Sequence, residues 1–232
     1  MSLSTVLFFF LAHLGVGIAF TLVFVSKDAG VKFFRFNAGL AVILVAIALA
    51  FRYGAFGAVA VARSQTEQMA LLALDVSAGA SSVVRALTIA SFLTSAAMLG
   101  GACTAMILGH WYLVIPSLQV SHLQSIVKVH IASMLARVVV VGMAVWFAIA
   151  TWQADSGVPS FRHYIMSVDG ISFWQRVLFG LAGPAVLSYL TWETAKIRST
   201  QSATGILYVD FFTVVVGEVL AKYLLLATRV PV

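Results

Sequence analysis

Apolar residues run in blocks of about twenty along this chain, separated by short polar breaks. A helix of that length covers the ~30 Å hydrocarbon core of a bilayer, so each block predicts one crossing. Blocks at residues 5–26, 36–53, 86–109, 125–152, 174–195 and 205–227 predict six helices. Residues 54–85 are too polar at Arg63, Ser64, Gln65, Glu67 and Gln68 for an easy span, yet Met69 to Leu74 suits an interfacial amphipathic helix; a seventh crossing there is the alternative. Residues 153–173 mix Pro, Gly, Ser and Asp with aromatics and predict an external loop resting on the bundle. The first block starts a few residues after Met1 with no basic segment before it, and reads as a retained helix, not a signal peptide. The expected fold is an all-α integral membrane protein, one transmembrane helical domain over residues 1–232 with six helices, or seven.

Composition agrees with the pattern. The chain is 62% hydrophobic and 9% charged, against about 25% charged in an average soluble protein, and so few charges cannot build a water-soluble surface. The net charge of +6 is scattered over helix ends with no basic stripe, which argues against a nucleic-acid partner. The connection with Lys27, Lys32 and Arg35 and the one with Lys196 and Arg198 fall on one side of a six-helix topology. Under the positive-inside rule that side is the cytoplasm, within a bacterial-type inner (plasma) membrane. A single cysteine, Cys103, excludes an internal disulfide and any site built from several cysteines of this chain.

Ionisable groups within a bilayer cost a few kcal/mol each, which makes His13, His130, Arg137, Asp210, Glu218 and Lys222 the candidates for function. His13 lies near the middle of the first block, and Gly15 and Gly17 leave room for a flat ligand. A haem b between helices needs an imidazole from each of two of them; the alternative is a histidine hydrogen-bonded to a neighbouring helix. His110, His122 and His130 bracket one connection, which brings three imidazoles toward one side of the membrane. His130 and Arg137, seven residues apart, share a helix face. They suit a haem ligand with an arginine for a propionate, or a quinone site in which His130 binds a ring oxygen and Arg137 stabilises the reduced anion. Zinc or copper on the histidines is a further option, although the tight spacing of a helical metal site is absent. Interfacial anchoring of a helical hairpin is the plainer one.

In the last block Glu218 and Lys222 form an i, i+4 pair that neutralises itself. Otherwise Glu218, with Asp210 and Lys222, is a candidate for proton transfer, and Asp210 or Glu218 is a candidate counter-ion for Arg137. Hydroxyls at Ser199, Thr200, Ser202 and Thr204 are placed to cap the last helix. No phosphate-binding loop, dinucleotide fingerprint or nucleophile elbow occurs.

Several helices with a few histidines at membrane depth and short connections resemble, in general pattern, the membrane subunits of respiratory complexes that bind haem b or quinol. That likeness assigns no residue roles. It implies an electron-transfer subunit, itself non-catalytic, with haem b or quinone as cofactor, His13, His110, His122 and His130 as metal ligands, and other subunits and membrane lipids as partners. A small proton-coupled transporter or channel, with Arg137, Glu218 and Lys222 along a polar pathway, and a non-catalytic scaffold of a larger complex are the alternatives.

Overall fold

The computed structural model describes residues 3–53, 82–115, 118–151, 160–228 and 230–232, and every regular element among them is helical. The long helices are α1 (Leu3–Thr21), α2 (Gly30–Tyr53), α3 (Ser82–Val114) and α4 (Val120–Thr151). A short α5 (Phe161–Met166) leads to α6 (Ile171–Val177), which runs through a π-turn at Leu178–Ala182 into α7 (Gly183–Lys196); α8 (Thr200–Thr228) completes the bundle. Five helical segments are long and apolar enough to cross a membrane: Leu3–Phe24, Lys27–Phe51, Ser82–Val114, Val120–Thr151 and Thr200–Thr228. The expected amphipathic helix at Met69 to Leu74, and with it the seventh crossing, lies outside the described residues.

Most helices extend beyond the apolar blocks, because a helix does not stop where hydrophobicity does. The second begins at Gly30 and not at 36: Phe33 is fully buried one turn in, and the Asn37 side chain donates back to the Phe33 carbonyl at 2.9 Å. The sixth block is preceded by Arg198, whose positive φ of 60° turns the chain, and the Ser199 hydroxyl donates to that of Ser202 at 2.9 Å. The stretch 171–196 is helical throughout but broken in hydrogen-bond register. Pro184 has no N–H to give the carbonyl four residues back, and the Gly183 N–H reaches the Leu178 carbonyl five residues back.

Side-chain pairs fix the relative directions. His13 meets Ser95 and Thr21 meets Thr104, so α1 and α3 run the same way; His130 meets Asp210 and Arg137 meets Glu218, so α4 and α8 do too. The connection carrying Lys27 and Asp28, the start of α4 and the end of α7 share one end of the bundle, joined by Asp28 to His122 (3.1 Å) and Gln124 to the Ala195 carbonyl (3.2 Å). Lys128 and Lys196 also lie over the Trp192 ring there, the mixture of cations and indole expected at a membrane–water boundary.

Outward-facing positions are apolar, as at Leu135, Val139, Trp146, Val186 and Phe212, whereas Arg137, Arg176, Asp210, Glu218 and Lys222 are buried. Charges inside and hydrocarbon outside is the distribution of a helical bundle solvated by lipid. Two glycine contacts bring helices together at backbone distance. A Cβ on Gly17 would lie 1.9 Å from the Ala96 carbonyl oxygen, against Gly100 of α3, and one on Gly217 would lie 2.1 Å from the Gly180 Cα. Without a hydrophobic drive between helices in lipid, such close approach supplies much of the packing energy.

Candidate functional site: a buried ion network

The centre of the bundle holds one carboxylate shared by three cations. Glu218 Oε1 accepts from Arg137 Nε at 3.1 Å and Arg176 Nη2 at 2.9 Å; Oε2 accepts from Lys222 Nζ at 2.8 Å and the Ser95 hydroxyl at 2.5 Å. Arg137 continues to Ser91, donating from Nη1 to its carbonyl (3.0 Å) and hydroxyl (2.6 Å), and from Nη2 to an oxygen of Val232 at 3.2 Å. None of the four ionised side chains is more than 2% exposed. Four helical segments contribute: α3 gives the serines, α4 Arg137, α6 Arg176, and α8 Glu218 and Lys222.

The sequence explains why these groups meet. Glu218 and Lys222 share a face of α8 by their four-residue spacing. Gly217, beside Glu218, lets the chain at Gly180 touch α8, and the notch left by the two glycines houses the Arg176 guanidinium: a Cβ on Gly180 would fall 1.9 Å from Nη1. Arg176 Nε and Nη1 find no acceptor among the described residues. Three cationic side chains thus share one carboxylate side chain in a low-dielectric interior, where removing the shared partner would strand buried charge.

A second polar station lies on the same helix pair. His130 Nε2 and Asp210 Oδ2 are 2.8 Å apart and both side chains are fully buried. His130 Nδ1 and Asp210 Oδ1 have no partner among the described residues. The imidazole lies against Gly101, where a Cβ would come within 3.2 Å of Nδ1.

The histidines expected to gather do not share a site. His110 is exposed and its Nδ1 is 3.0 Å from the Tyr208 hydroxyl; His122 pairs with Asp28, close enough for an ion pair but not aligned for a hydrogen bond; His130 is tied to Asp210. The spacing that puts them on one connection turns them to different neighbours. His13 sits apart on α1, its Nδ1 3.2 Å from the Ser95 hydroxyl. Gly15 and Gly17 leave no space for a flat ligand: a Cβ on Gly15 would lie 2.8 Å from Val45 of α2, and Gly17 is pressed against α3. Among the described residues no three His, Cys, Asp or Glu side chains are grouped to hold a metal ion. Cys103 and Met98 are buried in the apolar core.

Of the charged candidates, Arg137, Glu218 and Lys222 come together, and Asp210 joins His130 instead. Arg176, Ser91 and Ser95 are the members that sequence reasoning passed over. Arg176 falls near the edge of its apolar block, where basic residues ordinarily mark helix ends, and serine is too common in membrane helices to stand out. The one available signal was a glycine four residues after the arginine. Comparison of the chain with protein-family models, with curated proteins and with solved structures finds no match.

Proposed function

We propose that this protein is a membrane bundle of six crossings, the helical stretch 171–196 crossing in addition to the five long segments, that transfers protons along a polar seam between α3, α4 and α8. The observation that carries the reading is the pairing of two stations on one helix pair. Seven residues separate His130 from Arg137 and eight separate Asp210 from Glu218, which at 1.5 Å per residue is about 11 Å along the axis. Each station combines a carboxylate with a nitrogen base or cation in an otherwise apolar interior, the composition of intramembrane proton relays.

The purified protein is reconstituted into liposomes containing a pH-sensitive dye, and a potassium gradient with valinomycin drives protons. Flux above protein-free vesicles is expected, with at least a tenfold loss in Glu218→Gln and in Asp210→Asn. Flux equal to that of empty vesicles would refute the reading and leave a scaffold role.

A quinone-binding reading is supported by one further feature. An apolar groove of about 590 Å³, lined by residues that include Phe20, Phe24, Leu93, Ala97, Ala132 and Ser133, opens between α1, α3 and α4. Ala97 and Ser133 lie about one helical turn from Gly101 and His130, whose Nδ1 is unpartnered. Quinone co-purifying with the wild type but not with His130→Ala supports it; its absence from native-source protein counts against it. Haem b would need iron at the ring nitrogen of His13 or His130 that the bonds to Ser95 and Asp210 leave open, and a reduced-minus-oxidised visible spectrum decides that directly.

A further inference from the structure

Resting on the proton-transfer reading, we infer that the segment Val230–Val232 is a removable plug between the buried network and water at the end of the bundle where α8 finishes. The segment lies inside the bundle: Val230, Pro231 and Val232 are all buried. Val230 and Val232 belong to one apolar cluster with Val141 and Ala148 of α4, Phe161 of α5 and Leu224 of α8. Arg137 Nη2 donates to an oxygen of Val232 at 3.2 Å while Nη1 of the same guanidinium holds Ser91, so Val232 lies against the network itself.

The local sequence suits a tight reversal. The Val232 N–H donates to the Val230 carbonyl at 2.9 Å, which makes a three-residue turn centred on Pro231. The proline ring sets a φ close to the one such a turn needs, and it leaves no N–H unpaired among apolar side chains. The Val230 N–H is satisfied by the Thr228 hydroxyl at 3.2 Å.

The plug stands beside the last part of a polar route. Ser95, Ser91 and Thr88, spaced by four and three residues, share a face of α3 and are all buried. The two serines belong to the network, and Thr88 donates to the Val84 carbonyl at 2.9 Å. Val84 lines a pocket of about 170 Å³ with Leu87, Ala144 and Ala148, and Val230 and Pro231 form part of its wall. Ala148 lies twenty residues beyond Lys128 on α4, about 30 Å along the axis, which is the thickness of the hydrocarbon core. Lys128 lies at one membrane–water boundary, over Trp192, so the pocket reaches the other. The segment is not part of any helix, and it is held by two valine side chains and the bonds just named. Segments held so lightly open more readily than the helices around them. With the plug seated, apolar side chains separate the pocket from Ser91, Arg137 and Glu218; its transient opening admits water to them and limits the flux.

The test follows access and flux. Thr88→Cys, in a chain whose buried Cys103 is changed to alanine, is labelled in mild detergent with a charged, water-soluble thiol reagent, with and without the pair Val230→Gly and Val232→Gly. Proton flux in proteoliposomes is compared between the wild type and the glycine pair without the cysteine changes, and thermal unfolding checks each fold. The glycine pair is expected to speed labelling at least tenfold and to raise flux at least threefold. If it does not fold, Pro231→Gly, which loosens the turn, replaces it. Where the wild type conducts, labelling or flux that stays the same or falls in the folded variant overturns this inference alone. Absence of flux in the wild type overturns the proton-transfer reading itself, and the labelling rates then still decide whether the segment is a plug.

Discussion

Replacing Glu218 with alanine removes the one anionic side chain that the described residues supply to a cluster of three buried cations. Arg137, Arg176 and Ser95 each lose a bond that crosses between helices, and Lys222 loses one within its own helix. Interhelical hydrogen bonds in lipid average about 0.6 kcal/mol each, so the three crossing bonds alone account for about 2 kcal/mol. Removing one partner of a buried ion pair costs about 3–5 kcal/mol, because the remaining charges stay in low dielectric without compensation. A loss between these figures corresponds to about 10 °C in midpoint for a chain of this size. The assay is thermal unfolding in mild detergent followed by tryptophan fluorescence. A second substitution sharpens it: Arg176→Met in the Glu218→Ala background removes one stranded charge and should recover part of the loss. A midpoint within about 3 °C of wild type for Glu218→Ala, or a further fall when Arg176→Met is added, would show that the network does not hold the helices together electrostatically.

Gly17→Leu should destabilise by about 1–3 kcal/mol, since its Cβ has no space against Ala96 and Gly100. Gly39→Ala, where a Cβ meets nothing within 4 Å, serves as the near-neutral control in the same unfolding assay. Asp210→Ala leaves the buried His130 imidazole without its partner and should cost about 1–3 kcal/mol, with Asp210→Asn costing less because an acceptor remains. An equal loss for both would mean that charge, not hydrogen bonding, is what His130 needs. His110→Ala and His122→Ala remove pairs at the bundle end, where at least one partner is exposed, and each should shift stability by less than about 1 kcal/mol. A larger effect, or loss of a bound cofactor, would return them to the functional site.

What the sequence by itself determined is the class of molecule. The length and number of apolar blocks follow from bilayer thickness, and they place five long helices without any knowledge of neighbours. The i, i+4 spacing of Glu218 and Lys222 and the shared face of His130 and Arg137 were legible too, because helical period is a local property. Partner choice was not. Whether Arg137 turns to Asp210 or Glu218 depends on the rotation of α8 against α4, and that is set by contacts such as Gly180 with Gly217 that link residues 37 positions apart. The three histidines near one connection looked like a site because sequence proximity was read as spatial convergence, whereas each imidazole's direction is decided by the helix it faces. Arg176 shows the same limit from the other side. It reads as a helix-end cation until the π-turn after it and the glycine notch on α8 draw it into the centre of the bundle.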